Sequence, residues 1–227
     1  MLTLETITAT RGEFTFVADL SLPPGITAVI GPSGGGKSTL LDLVAGFVAP
    51  ETGRITLDAR DITALPPGER PVASLFQDNN LFPHLTALQN VVLGVTTHRR
   101  PTEQSLIQAK EALIAVGLDD FGNRRPGDLS GGQRARVALA RAILSRRPVV
   151  CLDEPFSALG PALRRDMLDL VARHLDGRIV LMVTHDPDDA QRVAAQVVFV
   201  AEGRAHPPRD TGALFAAPPP EVARYLG

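Results

Sequence analysis

Residues 31–39 read GPSGGGKST, and this stretch decides the fold. It fits the pattern G-x-x-x-x-G-K-[ST] from Gly31 to Ser38. The apolar run ITAVI (26–30) precedes it, and STLLDLVAG (38–46) follows with Leu40, Leu41, Leu43 and Val44 at helical spacing and Gly46 as a stop. Strand, glycine loop and helix in that order build a phosphate cradle. The backbone from Gly31 through Pro32, Ser33, Gly34, Gly35 and Gly36 can wrap phosphates without Cβ clashes. Lys37 then reaches the β- and γ-phosphates, the Ser38 hydroxyl ligates Mg²⁺, and Thr39 extends the helix start that faces the anion.

Outward from this loop, short apolar runs alternate with helical patterns, which predicts an α/β architecture with a largely parallel sheet. PVASLF (71–76), VVCL (149–152), IVLMVT (179–184) and VVFVAEGR (197–204) read as further strands. The first segment, with ITLDARD near residue 55, reads as antiparallel strands at an edge. Between about 78 and 148 the pattern turns helical, in TEQSLIQAKEALIAVG (102–117) and SGGQRARVALARAILSRR (130–147). The expectation is one domain over 1–227, its core in about 1–77 and 149–227, with a helical insertion over about 78–148.

Three further segments carry chemistry. VVCLDEP (149–155) puts Asp153 and Glu154 at the end of an apolar strand, where ligands bind in parallel sheets. Asp153 there can hold hydrated Mg²⁺, and Glu154 can polarise an attacking water. Gln77 and His185 each follow a strand and are expected at the same sheet edge, the first for Mg²⁺ or water and the second for the γ-phosphate. The third segment, LSGGQ (129–133), opens a helix with Ser130, Gly131, Gly132 and Gln133. It is a second glycine mouth without a lysine. Ser130 as a helix cap leaves Gly131 and Gly132 lowering helix propensity for no gain.

Composition sets limits. The 227 residues are 44% hydrophobic and 21% charged with a net charge of −2, enough for a core and against broad nucleic-acid binding. The single cysteine, Cys151, excludes an internal disulfide and reads as a buried small hydrophobe. The start, MLTLETITATRGEF, lacks a signal-peptide pattern, and no apolar run is long enough to span a membrane. Two lysines, Lys37 and Lys110, stand against a large excess of arginine, which makes the lysine in the glycine loop more telling.

The phosphate loop, Gln77, LSGGQ, LDEP and His185, in that order, resemble the ATP-binding subunits of ABC transporters over nearly the whole chain. The resemblance implies a P-loop NTPase fold with a RecA-like parallel-sheet core, an N-terminal antiparallel β subdomain and a helical insertion. It implies ATP and Mg²⁺ as ligands. It also implies a head-to-tail homodimer in which the phosphate loop of one copy faces LSGGQ of the other, so the second mouth serves a neighbour's nucleotide and needs no lysine of its own. Within the family, RPVASLFQDNNLFPHLTALQNV (70–91) and DEPFSALGPALRRDML (153–168) look like the ATPases of bacterial thiamine importers. That implies an integral-membrane permease docking near residues 78–95, an extracytoplasmic substrate-binding protein acting indirectly, and a peripheral place on the cytoplasmic face of the inner membrane. Importers of iron, polyamines, sulfate or molybdate share much of this pattern. A non-transport ABC ATPase is the other alternative; the long coiled coil or second cassette usual there is missing. Two departures stand out. Gly160 occupies the place of an aspartate usual in a loop at the dimer interface, and Arg11, with Phe14 and Phe16 nearby, occupies the place of an adenine-stacking aromatic.

Overall fold

The computed structural model describes residues 1–76, 80–96 and 101–227. In chain order the strands are β1 (Leu2–Arg11), β2 (Phe14–Leu22), β3 (Gly25–Ile30), β4 (Thr52–Leu57), β5 (Arg60–Asp61), β6 (Val72–Leu75), β7 (Val149–Asp153), β8 (Ile179–Val183), β9 (Gln196–Ala201), β10 (Arg204–Ala205) and β11 (Arg209–Asp210). The helices are α1 (Lys37–Ala45), α2 (Ala87–Val92), α3 (Glu103–Ala115), α4 (Gly131–Leu144), α5 (Pro161–His174), α6 (Pro187–Val193), α7 (Thr211–Ala216) and α8 (Pro220–Leu226). The chain divides into two compact units: 1–72, 148–154 and 176–227 in the first, 73–147 and 155–175 in the second.

The first unit holds the sheet. Strands run in the order β5-β4-β1-β2-β10-β9-β3-β8-β7. β9, β3, β8 and β7 are mutually parallel, whereas β5, β4, β1 and β2 are antiparallel. The join is β10, parallel to β2 and antiparallel to β9. The run VVFVAEGR therefore departs from the single strand expected of it. It breaks into a hairpin at Glu202 and Gly203, both with positive φ, and so brings the N-terminal strands into the same sheet as the parallel ones. Glycine beside an acidic residue is a turn signal that the apolar periodicity masks.

Both faces of the parallel part are covered, which is why its strands are near-continuous in Val, Ile, Leu and Ala. Alternation sends Val29, Val198 and Val200 toward α1 and the N-terminal strands. It sends Ala28, Ile30, Val197 and Phe199 toward α6, α7 and α8. Cys151 is buried among the first set, and burial pushes its thiol up to about 12. Leu40 and Leu43 of α1 are fully buried, each contributing about 1.5–3 kcal/mol over an exposed position. These residues hold the helix that starts at Lys37.

The other end of α1 is held by Arg70, only 1% exposed. Its guanidinium donates to Leu43 O at 2.6 Å and Val44 O at 3.0 Å, capping the last turn of α1. It also donates to Thr63 O at 2.7 Å and Leu65 O at 2.9 Å. Gly46 closes the helix at φ 84°, with the guanidinium where a Cβ would stand.

In the second unit α2, α3 and α4 pack on one another through Ala109, Leu113, Val137 and Leu139, all buried. Each of these helices starts on a side-chain cap: Thr86, Thr102 and Ser130. α5 belongs to this unit, with Leu163 against α4. Helical periodicity marks an apolar face but not the layer that receives it, so α5 reads equally well as part of the core.

Arg70→Leu is expected to leave the carbonyls at the end of α1 without their donors and to lower unfolding free energy by about 3 kcal/mol. Urea denaturation followed by circular dichroism measures this; a loss under about 1 kcal/mol would contradict the capping role.

Candidate functional site

The site grows from three strand ends in register. Val29 pairs with Val183, and Val183 pairs with Asp153, so β3, β8 and β7 finish abreast. β3 delivers the loop 31–36, β7 delivers Asp153 and Glu154, and β8 delivers Thr184 and His185. Parallel sheets put ligands at this carboxyl edge.

The loop is shaped by what surrounds it. Gly31 has φ 145°, and a Cβ there would overlap the Val200 backbone of β9. Gly36 has φ 111° and stands at the N-cap of α1 with no side-chain cap bond. A Cβ on Gly36 would meet the Phe16 ring at 2.7 Å and the Phe14 ring at 3.2 Å. Both aromatics near the expected adenine position are thus taken up, at least on one side, in walling the loop. Arg11 is exposed at the end of β1, opposite Phe14, and its charge acts on the Asp42 carboxyl of α1. Gly203 N–H donates to Gly35 O at 3.1 Å, so the β9–β10 turn braces the loop from behind.

Lys37 folds back over this loop. Its ammonium donates to Gly31 O at 2.7 Å and Pro32 O at 2.9 Å. Burial draws its pKa down, while the charges of Glu154 and then Asp153 act upward. Burial raises the Asp153 pKa, opposed by a hydrogen bond from Ser38. Glu154 has φ 43°, a left-handed backbone that costs a non-glycine residue on the order of 1–3 kcal/mol. Its Oε2 lies 3.6 Å from His185 Nδ1. Glu154, Asp153, His185, Ser38 and Lys37 are therefore brought together, with Thr39 in the first turn of α1 behind them. Gln77 lies outside the described residues.

The donor set fits a nucleotide-borne Mg²⁺. The Ser38 hydroxyl and the Asp153 carboxylate are in contact, two hard oxygens of the kind Mg²⁺ takes. Among the described residues no cluster of three or more His, Cys, Asp and Glu side chains could hold a metal alone.

In the second unit, Ser130 caps α4 in a reciprocal box: Gln133 N–H donates to Ser130 Oγ at 3.3 Å and Ser130 N–H to Gln133 Oε1 at 2.9 Å. Gly132 has an internal reason after all. A Leu163 methyl of α5 occupies the place of its Cβ. Gly131 has none, with nothing closer than an Arg134 nitrogen at 3.9 Å. Gly160 is the N-cap of α5 at φ −65°, a conformation open to any residue, with no atom within 4 Å of a Cβ. The fold does not demand a glycine there.

Comparison with known proteins agrees with this geometry. The family described as ABC transporter matches residues 17–157. The thiamine import ATP-binding protein ThiQ of Cereibacter sphaeroides is 53% identical over 230 residues, covering all of both chains. That of Ruegeria sp. is 50% identical over 232 residues, again covering both fully. A dimeric ATP-binding cassette in a post-hydrolysis state with ADP and Pi superposes with a TM-score of 0.80 at 28% identity, over 93% of this chain and 99% of that one. The ADP conformation of an ABC transporter cassette gives 0.88 at 25% identity, over 100% of this chain and 98% of that one. With a phosphate loop and a carboxylate edge in register, and relatives matched end to end, the chain belongs to the ABC transporter family as an ATP-binding cassette.

Proposed function

We propose that this cassette hydrolyses ATP to drive thiamine import through a membrane permease. The observation that carries the reading is full-length identity of 50–53% to two thiamine import ATP-binding proteins, on a chain whose phosphate loop, Asp153, Glu154 and His185 share one sheet edge.

The loop 31–36, with Ser38 and Thr39, cradles the phosphates through backbone N–H groups. Lys37 leaves the Gly31 and Pro32 carbonyls for the β- and γ-phosphate oxygens, a move that exchanges neutral acceptors for charged ones. Ser38, Asp153 and Gln77 would hold Mg²⁺, which when bound neutralises charge on the β- and γ-phosphates. Glu154 takes a proton from the attacking water, and His185, 3.6 Å from its carboxylate, contacts the γ-phosphate. Ser130, Gly131, Gly132 and Gln133 complete the site of a second copy. Ser130 and Gly131 are exposed at the helix start, and the open face of Gly131 lets a phosphate approach. Pairing of two copies is supported by the dimeric cassette of similar fold, and a head-to-tail arrangement is the one that sets this mouth against a neighbour's phosphate loop.

The cassette then sits at the cytoplasmic face of the inner membrane, bound to an integral-membrane permease and served indirectly by an extracytoplasmic binding protein. Among the described residues no helix is long and apolar enough to cross a membrane. Attachment through a partner is consistent with that. Phe82 (45% exposed) and Val95 (40% exposed), in the stretch expected to meet the permease, offer apolar surface for it.

Lys37→Ala is expected to weaken ATP binding about 10- to 100-fold in calorimetric titration, the loss of a charged hydrogen-bonding partner. An unchanged affinity would remove Lys37 from the site. In a host deleted for the native gene, the intact chain is expected to restore uptake of labelled thiamine and Glu154→Gln to leave it at the deletion background. Restoration by Glu154→Gln would contradict its role in hydrolysis, and failure of the intact chain would contradict the cargo.

A further inference from the structure

The side chain of His185 is 55% exposed, and Glu154 Oε2 stands 3.6 Å from its Nδ1. Neither solvent nor so long a contact fixes where the ring points, so its aim depends on the backbone that carries it. That backbone is held on both sides. Thr184 N–H donates to Val29 O at 3.2 Å, which ties the approach to His185 to the end of β3. Asp186 N–H donates to Thr184 Oγ1 at 3.1 Å, a bond that spans His185 and closes the turn around it.

Thr184 is buried, and its hydroxyl has a single hydrogen to give. Asp189 Oδ2 lies 2.9 Å from it and Asp186 O 3.4 Å, so the shorter, charged acceptor takes it. Asp189 belongs to α6 and is itself buried, 7% exposed. α6 is anchored apart from the turn. Ala190 is fully buried in the cluster of Ala28 and Ile30, and Ala195 N–H, just past the helix, donates to Ile26 O at 2.9 Å. Asp186 is bonded to the same helix, its carboxylate accepting Asp188 N–H at 3.0 Å and its carbonyl Asp189 N–H at 3.2 Å. Both neighbours of His185 are therefore fastened to α6, and the histidine is the exposed residue between them. Helix stability alone favours an acid in the first turn, but Asp188 already supplies one. It does not call for a second carboxylate buried against a threonine hydroxyl, where an unbonded charge would be costly.

We propose that Thr184 and Asp189 are positioning residues for hydrolysis: the buried hydroxyl–carboxylate pair locks the turn 184–186 and so holds the His185 imidazole at the edge it shares with Glu154. The inference rests on reading His185 as the γ-phosphate contact. Thr184→Val keeps the side-chain shape and removes the hydroxyl, whereas Thr184→Ser keeps both of its bonds. In ATPase assays of the intact chain, Thr184→Val is expected to lower kcat about tenfold with the ATP KM within about twofold, the pattern of a contact made in the transition state. Thr184→Ser is expected to stay within about twofold of the unaltered kcat. Asp189→Asn keeps an acceptor of the same shape without its charge and is expected to lower kcat about threefold; it carries the test if the valine variant does not fold. The His185 ring resonance in proton NMR, identified by its loss in His185→Ala, is expected to move in each variant that lowers kcat and to stay in place in Thr184→Ser. An unchanged kcat in Thr184→Val, or in Asp189→Asn where that variant carries the test, would overturn the proposal. So would an equal loss in the serine and valine variants, which would mark a packing role for the methyl, or a lowered kcat with the His185 resonance unmoved. A His185→Ala chain that hydrolysed ATP at the unaltered rate would instead contradict the site reading on which the proposal rests.

Discussion

The site depends on one register: β3, β8 and β7 end side by side, with Val29, Val183 and Asp153 abreast. Shift one strand by a residue and its side chains change face, moving core to solvent and carboxylate away from lysine together. Because both faces of this sheet are buried, the register is costly to alter. The chain can therefore put strained elements at its edge. Glu154 holds a left-handed backbone and Gly36 an uncapped helix start, each against a rigid background. Arg70 and the leucines of α1 fix the helix from below, so the position of Lys37 is decided by contacts well away from it.

The two glycine mouths differ in kind. In the loop at 31–36 the glycines are demanded from within, by Val200 behind Gly31 and by the aromatic rings of β2 against Gly36. At the start of α4, a Leu163 methyl stands where a Cβ on Gly132 would be, but Gly131 faces open space. Gly160 is a second residue of that sort, a helix cap that gives up a side-chain bond with no internal return. Under head-to-tail pairing, Gly131 receives a neighbour's phosphate.

Much of this was legible in the sequence, for physical reasons that differ by residue. The phosphate loop was readable because strand, glycine run, lysine and helix are contiguous. Asp153, Glu154 and His185 were readable as one edge because buried parallel strands are apolar throughout and end abruptly in polar residues. The bridging strand β10 was not, because a two-residue strand has no periodicity. The membership of α5 in the second unit was not, because an amphipathic face does not name its partner. The packing reason for Gly132 was not legible, since Leu163 lies far along the chain from it.

The most direct test of the central claim, that the second mouth serves another copy, is light scattering on two variants with MgATP. Glu154→Gln, which holds ATP unhydrolysed, is predicted to double in mass when ATP is added. Glu154→Gln with Gly131→Glu puts a carboxylate where the neighbour's γ-phosphate would arrive, at a helix start whose fold accepts it. That variant is predicted to bind ATP with unchanged affinity and remain monomeric. If it dimerised as readily, or if it lost ATP binding as a monomer, the mouth would not be serving a partner and the composite site would be contradicted.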